Sequence, residues 1–128
     1  MAKNPVDPLL ATYRGLILEW IAEQSSERKG AGRRAHRKYE RIQETYESLR
    51  KWQAGRDGIT ALIQDPDAAV RSVAASHALQ WSRLDAVKAL EELASAHDAP
   101  REVQMNAAYT LGEFKAGRLS AGPGSGSA

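Results

Sequence analysis

The chain has 128 residues, no cysteine and a formal net charge of +2 at pH 7. The lack of cysteine excludes a disulfide scaffold, a thiolate zinc site, an iron–sulfur cluster and a cysteine nucleophile, and a chain of this length can bury a core without such links. No apolar run approaches the roughly 20 residues that a membrane span needs, and residues 1–7 lack the apolar segment of a secretory signal. We therefore expect a cytoplasmic protein that makes no contact with a membrane.

The first half of the chain predicts a long helical hairpin. Asp7 followed by Pro8 has the form of a helix N-cap and a first-turn proline, and apolar residues then recur at steps of three and four. They are Leu9, Tyr13, Leu16, Ile17, Trp20 and Ile21. After a break over residues 25–32, a second helix is predicted over about residues 33–52. Its apolar seam, typical of an antiparallel helix pair, is Ala35, Tyr39, Ile42, Tyr46 and Leu49.

The middle of the chain predicts a turn, a short helix and a longer helix. Residues 53–58 are predicted as the turn, and the short helix that follows stops at Asp65 and Pro66. These two residues can also cap and begin the next helix, which is predicted to run to about residue 81. Its single apolar face comprises Val70, Val73, Ala74, His77, Ala78 and Trp81.

Two more helices are predicted in the last third of the chain. Ser82 and Asp85 have the spacing of a capping box, and the helix that they open carries an apolar stripe. The stripe comprises Ala86, Val87, Leu90, Leu93 and Ala94. The last helix is predicted over about residues 100–115, with Gly117 suited to its C-terminal exit. Its apolar residues are Val103, Ala107, Leu111 and Phe114.

These elements predict an all-α fold of about six helices, because no segment shows the alternation of a half-buried strand. Residues 1–119 are predicted to form a single domain. Residues 120–128 contain only Gly, Ser, Ala and Pro, and this composition predicts a flexible tail that folding does not need.

An internal repeat relates two of the predicted helices. Residues 70–75 and 103–108 align at an offset of 33 residues, and both follow an Asp and a Pro. Each segment contains a pair of alanines, which allow a helix to lie close to its neighbour, so stacked helix pairs can bury a continuous core. Beyond the alanine pairs we expect the two copies to slip in register by one residue.

The segment that begins Asp65-Pro66-Asp67 and continues through Val70-Arg71 to the alanine pair resembles the second helix of HEAT-like repeats. The resemblance assigns Arg71 to the family's arginine position, where that side chain often bonds an acidic group at the turn of the adjacent repeat. The second copy has Gln104 there, so a ladder of arginines is absent. Residues 9–119 also resemble a family of small bacterial HEAT-like proteins of unknown function. That resemblance implies a short α-solenoid with an N-terminal hairpin, and small proteins of this kind recur as immunity partners beside toxins.

A basic stretch over residues 28–41 is the main candidate binding site. It is dense enough in Arg and Lys to attract phosphates or an acidic protein face, and the alternative interpretation is a solvated, salt-screened surface. With Trp52, which lies at a helix end beside other basic residues, the candidate partner-binding residues are Arg33, Arg34, Arg37, Lys38 and Arg41. Glu19, Glu23 and Glu27 form a ridge that is expected to be solvated, with pairing to Arg33, Arg37 or Arg41 as the alternative.

Other notable residues are predicted to be structural. Trp81 and Trp20 fall on apolar stripes, and His77 lies within one, where a hydrogen-bonded core histidine is far commoner than a ligand. The predicted structural set is Asp65, Pro66, Arg71, His77 and Trp81. The three histidines lack the i,i+4 spacing of a helical metal site, and we expect no metal, no cofactor and no catalytic group.

The sequence thus favours a non-enzymatic protein-binding module, an immunity or adaptor protein whose partner is a protein such as a toxin. The alternative is a nucleic-acid-binding HEAT-like protein that uses the basic stretch 28–41, because some HEAT-like proteins, among them alkylpurine DNA glycosylases, hold DNA on a basic face. A single basic stretch and a small net charge make this alternative the weaker one.

Overall fold

The computed structural model describes residues 5–118. These residues form six α-helices and one short 3-10 turn and contain no strand, which confirms the all-α fold. The helices are α1 (Val6–Gln24), α2 (Ala31–Leu49), α3 (Gln53–Ala61), α4 (Ala68–Ala78), α5 (Arg83–Ala94) and α6 (Arg101–Lys115), and the 3-10 turn Leu62–Gln64 follows α3. The chain divides into two compact units, residues 1–58 and residues 59–128. The predicted tail, residues 120–128, lies outside the described residues.

The first unit contains the predicted hairpin of α1 and α2. Both helices bury most of the apolar residues that their periodicity predicts, with Tyr13 and Ile17 of α1 and Ile42 and Leu49 of α2 almost fully removed from water. Leu9 and Ile21 of the predicted α1 stripe are only half-buried. Burial, together with the nearby Tyr46, raises the pKa of the Tyr13 phenol well above its ordinary value. Tyr39 departs from the prediction because 45% of it is exposed, and it lies at the edge of the seam.

The beginnings of α1 and α2 differ from the predictions. The helix α1 begins one residue before Asp7, so Asp7 lies in the first turn, where its charge favours the helix dipole, instead of acting as the N-cap. The break between the helices is shorter than predicted, because α2 begins at Ala31 and Gly32 is helical. Of the two glycines predicted to break the chain here, Gly30 has the left-handed conformation (φ 81°) that redirects the chain into α2.

The predicted turn over residues 53–58 is wrong, since these residues belong to α3. Its two glycines permit close packing instead of a turn. A Cβ on Gly55 would lie 1.9 Å from the Leu49 carbonyl oxygen, and a Cβ on Gly58 would lie 2.2 Å from Leu10 Cδ1. The absent side chains therefore let α3 approach the end of α2 and the side of α1.

In the second unit, α4 begins with a different cap from the predicted one. Asp67 is the N-cap, and its carboxylate accepts hydrogen bonds from the backbone N–H groups of Ala69 (2.8 Å) and Val70 (3.2 Å). Asp65 instead accepts a bond from the Asp67 backbone N–H at 2.9 Å. It therefore stabilises the turn before the helix, and the prediction that Asp65 caps α4 is wrong.

The predicted capping box of α5 does not form. Ser82 occupies the N-cap position without bonding a backbone N–H, and its hydroxyl donates to the Asp85 carboxylate at 3.3 Å. The C-terminal exit of α6 is as predicted, because Gly117 has a left-handed φ of 77°.

The internal repeat determines the layout of the second unit. The helices α4 and α6 begin 33 residues apart, and α5 lies between them in the chain and packs against both. The predicted slip in register after the alanine pairs is wrong: Ala78 and Leu111 are both buried and Trp81 and Phe114 are both half-buried, each pair at the same offset of 33. The two copies thus keep one offset over the whole length of α4, although Ser72 and Ala75 are buried and their counterparts Met105 and Ala108 are exposed.

Candidate partner-binding surfaces

Two of the predicted basic residues are neutralised within the hairpin. The Arg34 guanidinium donates from Nε to Glu23 Oε2 at 2.6 Å, and Lys38 Nζ lies 2.6 Å from Glu19 Oε1. Both basic side chains are partly covered, with exposures of 32% and 28%. They join α2 to α1, so most of their charge is satisfied inside the first unit.

Three other basic residues remain available to a partner. Arg33, Arg37 and Arg41 are exposed on α2, and none of them forms an ion pair within residues 5–118. At a spacing of four residues they follow one line along the helix, about 6 Å apart. We call these three residues the basic row. Its neighbours include two exposed acids, Glu40, which lies 3.7 Å from His36 Nε2, and Glu44.

The acidic ridge of α1 pairs with different residues from those predicted. The sequence offered Arg33, Arg37 or Arg41 as partners of Glu19, Glu23 and Glu27, and the structure pairs Glu23 with Arg34 and Glu19 with Lys38. The reason is the orientation of α2. Its buried residues include Ala31, Ala35 and Ile42, so positions 34 and 38 border the seam and the basic row points away from it.

Trp52 is exposed but does not join the basic row. It lies beyond the end of α2, where its backbone N–H bonds the Leu49 carbonyl at 3.1 Å, and 48% of it is exposed. The nine steps from Arg41 to Arg50, the C-cap of α2, alone extend about 13 Å along the helix axis. The six candidate partner-binding residues therefore separate into the basic row, two paired cations and a distant tryptophan.

In the second unit, Arg71 stabilises the turn before its own helix. Its Nη1 donates to the carbonyl oxygens of Asp65 (2.9 Å) and Pro66 (3.0 Å). In the second copy, Gln104 Nε2 donates to the Ala99 carbonyl oxygen at 2.7 Å, which is the equivalent of the bond to Pro66. Although the residue type changes, both side chains donate to a backbone carbonyl of the turn before their own helix. The resemblance alone suggested a bond from Arg71 to the adjacent repeat instead.

Two further predicted structural residues lie at the border of the core. Trp81 is half-buried just beyond α4, and its indole N–H donates to Thr60 Oγ1 at 2.8 Å. Burial lowers the pKa of the His77 imidazole to about 3, so this histidine is neutral at pH 7. The packing role of His77 stays a prediction.

The second unit also contains an open cleft of about 620 Å³ between α5 and the turn at Asp65 and Pro66. Its charged lining mixes both signs, with Asp85, Lys88 and Glu92 contributed by α5. Within residues 5–118, no group of three or more His, Asp or Glu side chains is arranged to hold a metal ion. The cleft therefore presents side chains of both charges to any ligand.

An exposed apolar face on α6 is not predicted by the apolar periodicity of the sequence. Met105 and Tyr109 are 59% and 69% exposed, and Ala108 and Gly112 beside them are exposed too. We call these four residues the α6 open face. The predicted stripe of this helix runs through Val103, Ala107 and Leu111, which are buried, so periodicity directs attention to the opposite side. The signal that could have revealed the face is the pair of large apolar residues lying off that stripe.

Comparisons with known proteins bear on the second unit. The family model described as HEAT repeats matches residues 57–121, just over half of the chain. No curated protein and no solved structure gives a significant match. None of the helices within residues 5–118 combines the length and apolarity that crossing a membrane requires. HEAT repeats are generally scaffolds for protein interactions.

Proposed function

The chain belongs to the family of HEAT repeat proteins, and on that premise we propose that it is a non-enzymatic protein-binding module that holds an acidic partner protein on the basic row. In bacteria such a module would act as an immunity or adaptor protein, with a toxin as its partner. A partner of this kind would place the protein in the cytoplasm.

The observation that carries the proposal is the division of the basic stretch. Arg34 and Lys38 form ion pairs with α1 at 2.6 Å, whereas the basic row has no acidic partner in the described residues. Forming an interface with carboxylates would therefore not require the basic row to give up existing ion pairs. Exposed charges of one sign on a rigid helix steer an oppositely charged partner and select against others.

Nucleic acid is the second candidate, because guanidinium groups in a row also suit phosphates. It is less favoured here for two reasons. Glu40 and Glu44 lie on the same helix, and the net charge of the whole chain is only +2. Both weaken the extended positive field that phosphate backbones require.

The test compares two charge variants with equal loss of charge. The basic row is replaced in Arg33→Gln/Arg37→Gln/Arg41→Gln, and the control is Lys51→Gln/Arg83→Gln/Lys88→Gln, whose three positions are also exposed. Each is expressed with the protein encoded by the neighbouring gene, and binding is measured by calorimetry and by protection of growth. We expect the basic-row variant to bind about 10- to 100-fold more weakly, and the control to bind within twofold of the wild type.

A titration with labelled duplex DNA at physiological salt completes the test. We expect binding no tighter than the roughly micromolar to 100 micromolar range of non-specific association. Tighter binding that the basic-row variant abolishes would favour nucleic acid instead. If both charge variants bind the protein partner equally well, the basic row is not the contact surface.

A further inference from the structure

The cleft of the second unit contains charged side chains of both signs that do not pair with one another. Arg71 of α4 and three residues of α5, Asp85, Lys88 and Glu92, all line it. None of the four takes part in an ion pair within residues 5–118. Lys88 precedes Glu92 by four residues on the same helix, which is the weaker order for an ion pair. These charges are therefore left for a ligand to meet.

The Arg71 guanidinium is held in place with one edge open. Its Nη1 donates to the carbonyl oxygens of Asp65 and Pro66, whereas Nε and Nη2 form no hydrogen bond within the described residues. The Nε and Nη2 edge of a guanidinium can hold a carboxylate through two parallel hydrogen bonds. In the second copy Gln104 makes the bond that corresponds to the one with Pro66, so that bond does not need the additional donors of an arginine.

The charges on α5 alternate in sign along one face of the helix. Asp85, Lys88 and Glu92 lie within about 60° of one another around the helix axis, and the seven steps from first to last extend about 10 Å. An extended peptide rises about 3.3 Å per residue and directs alternate side chains to the same side. Three alternate side chains of such a peptide span about 13 Å, and their flexibility lets them match this row.

We propose that the cleft binds a short extended segment of another protein with the pattern basic-x-acidic-x-basic. The central carboxylate faces Lys88 and binds the open edge of Arg71, and the two flanking cations face Asp85 and Glu92. The pattern is the same in both chain directions. A single amino acid is too short to meet three charges spread over about 10 Å, and a segment with acidic groups alone would be repelled by the two acids of α5.

The size and floor of the cleft suit such a segment. Its volume of about 620 Å³ falls within the range of roughly 300 to 1,000 Å³ that ligand sites occupy. Its lining includes Ile63 and Leu93, which are buried, so part of a bound peptide would contact apolar side chains. The site contains no residue of the basic row and takes a different ligand from the acidic partner proposed there.

The preference of the cleft is opposite to that of the net charge. Because the whole chain has a formal charge of +2, non-specific attraction favours an acidic peptide. The probes are three acetylated and amidated heptapeptides: Ala-Lys-Ala-Glu-Ala-Lys-Ala, the same peptide with a central Gln, and the charge-reversed Ala-Glu-Ala-Lys-Ala-Glu-Ala. Each is titrated to about 10 mM into the isotope-labelled full chain, and amide chemical shifts are followed by NMR.

We expect the Lys-Glu-Lys peptide to shift the amides of α5 and of the turn at Asp65 and Pro66. It should bind at least fivefold more tightly than either of the other two peptides. No saturable binding up to about 10 mM, shifts confined to other parts of the chain, or equally tight binding of the charge-reversed peptide would each overturn the proposal.

The role of Arg71 is tested with Arg71→Gln, which introduces the residue type that the second copy has at this place. The matched control is Arg101→Gln, an exposed arginine outside the cleft. Arg71→Gln should weaken the Lys-Glu-Lys peptide at least fivefold and leave the central-Gln peptide within twofold, because only the first peptide has a carboxylate for the guanidinium. Arg101→Gln should leave the binding of both peptides unchanged.

Circular dichroism verifies that the variants fold. If Arg71→Gln does not fold, Glu92→Gln at an exposed position replaces it and should weaken the Lys-Glu-Lys peptide at least threefold. If Arg71→Gln weakens both peptides equally or neither of them, the carboxylate does not bind Arg71 and the proposal is wrong. A Glu92→Gln variant that binds as the wild type does would also contradict it.

Discussion

Lowering the pH from 7.5 to 5 should destabilise the protein through His77. Burial lowers the pKa of its imidazole from 6.5 to about 3 in the folded chain, whereas in the unfolded chain the imidazole takes up a proton near pH 6.5. Below pH 6.5 the unfolded state therefore binds a proton that the folded state does not, and the free energy of unfolding falls as the pH falls, until both states are protonated near pH 3. At about 1.4 kcal/mol per pH unit, the loss from this residue at pH 5 is about 2 kcal/mol.

Urea unfolding at pH 7.5 and pH 5 measures this contribution. The wild type is compared with His77→Gln, which has no group that titrates there, and with His97→Gln, which removes an exposed histidine between α5 and α6. The free energy of unfolding of the wild type and of His97→Gln should fall by about 2 kcal/mol more than that of His77→Gln. Equal pH dependence in all three proteins would show that His77 is accessible to protons in the folded chain and would refute the reasoning.

Three further predictions concern stability in urea. Trp81→Ala should lower the free energy of unfolding by about 3 kcal/mol because it removes a half-buried ring, whereas Trp81→Phe, which loses chiefly the indole hydrogen bond, should lower it by about 1 kcal/mol. Equal losses would argue against this division between ring packing and the hydrogen bond. Gly55→Ala should destabilise by more than about 2 kcal/mol, since its Cβ would lie 1.9 Å from a backbone oxygen, while Gly32→Ala should be neutral or stabilising. Arg71→Ala should cost about 2 kcal/mol and Gln104→Ala about 1, in proportion to the carbonyl bonds that each loses; a larger cost for Gln104→Ala would contradict the equivalence of the two side chains.

The helical class could be predicted because apolar periodicity reports burial directly. The stripe through Tyr13 and Ile17 faces the stripe through Ile42 and Leu49, as steps of three and four require. The turn predicted at residues 53–58 failed for a reason that local sequence does not contain. A glycine serves equally to turn the chain or to admit a neighbouring backbone, and only the proximity of the Leu49 carbonyl to Gly55 decides between the two.

The candidate site was predictable in composition but not in orientation. Neighbouring residues on a helix point about 100° apart, so a difference of one position separates Arg34, which is paired with Glu23, from exposed Arg33. The predicted seam of α2 begins at Ala35, whereas the buried face extends back to Ala31, because a single alanine is too weakly apolar to mark the start of a seam in a sequence. The side of α2 on which each arginine lies therefore emerges only from the packing.

At the α6 open face, too, the residue types alone do not predict which positions are buried, but a comparison of the two repeat copies does. Position 72 carries a serine and is buried, while its repeat counterpart, position 105, carries a methionine and is exposed. Hydropathy alone would assign these two environments the other way round. The reversal becomes visible once the two copies are aligned, although the only side-chain bond at Ser72 within residues 5–118 is the Ser76 hydroxyl donating to the Ser72 backbone carbonyl oxygen. Aligning the two copies therefore shows what hydropathy at a single position does not, because the same place in the repeat is covered in α4 and open in α6.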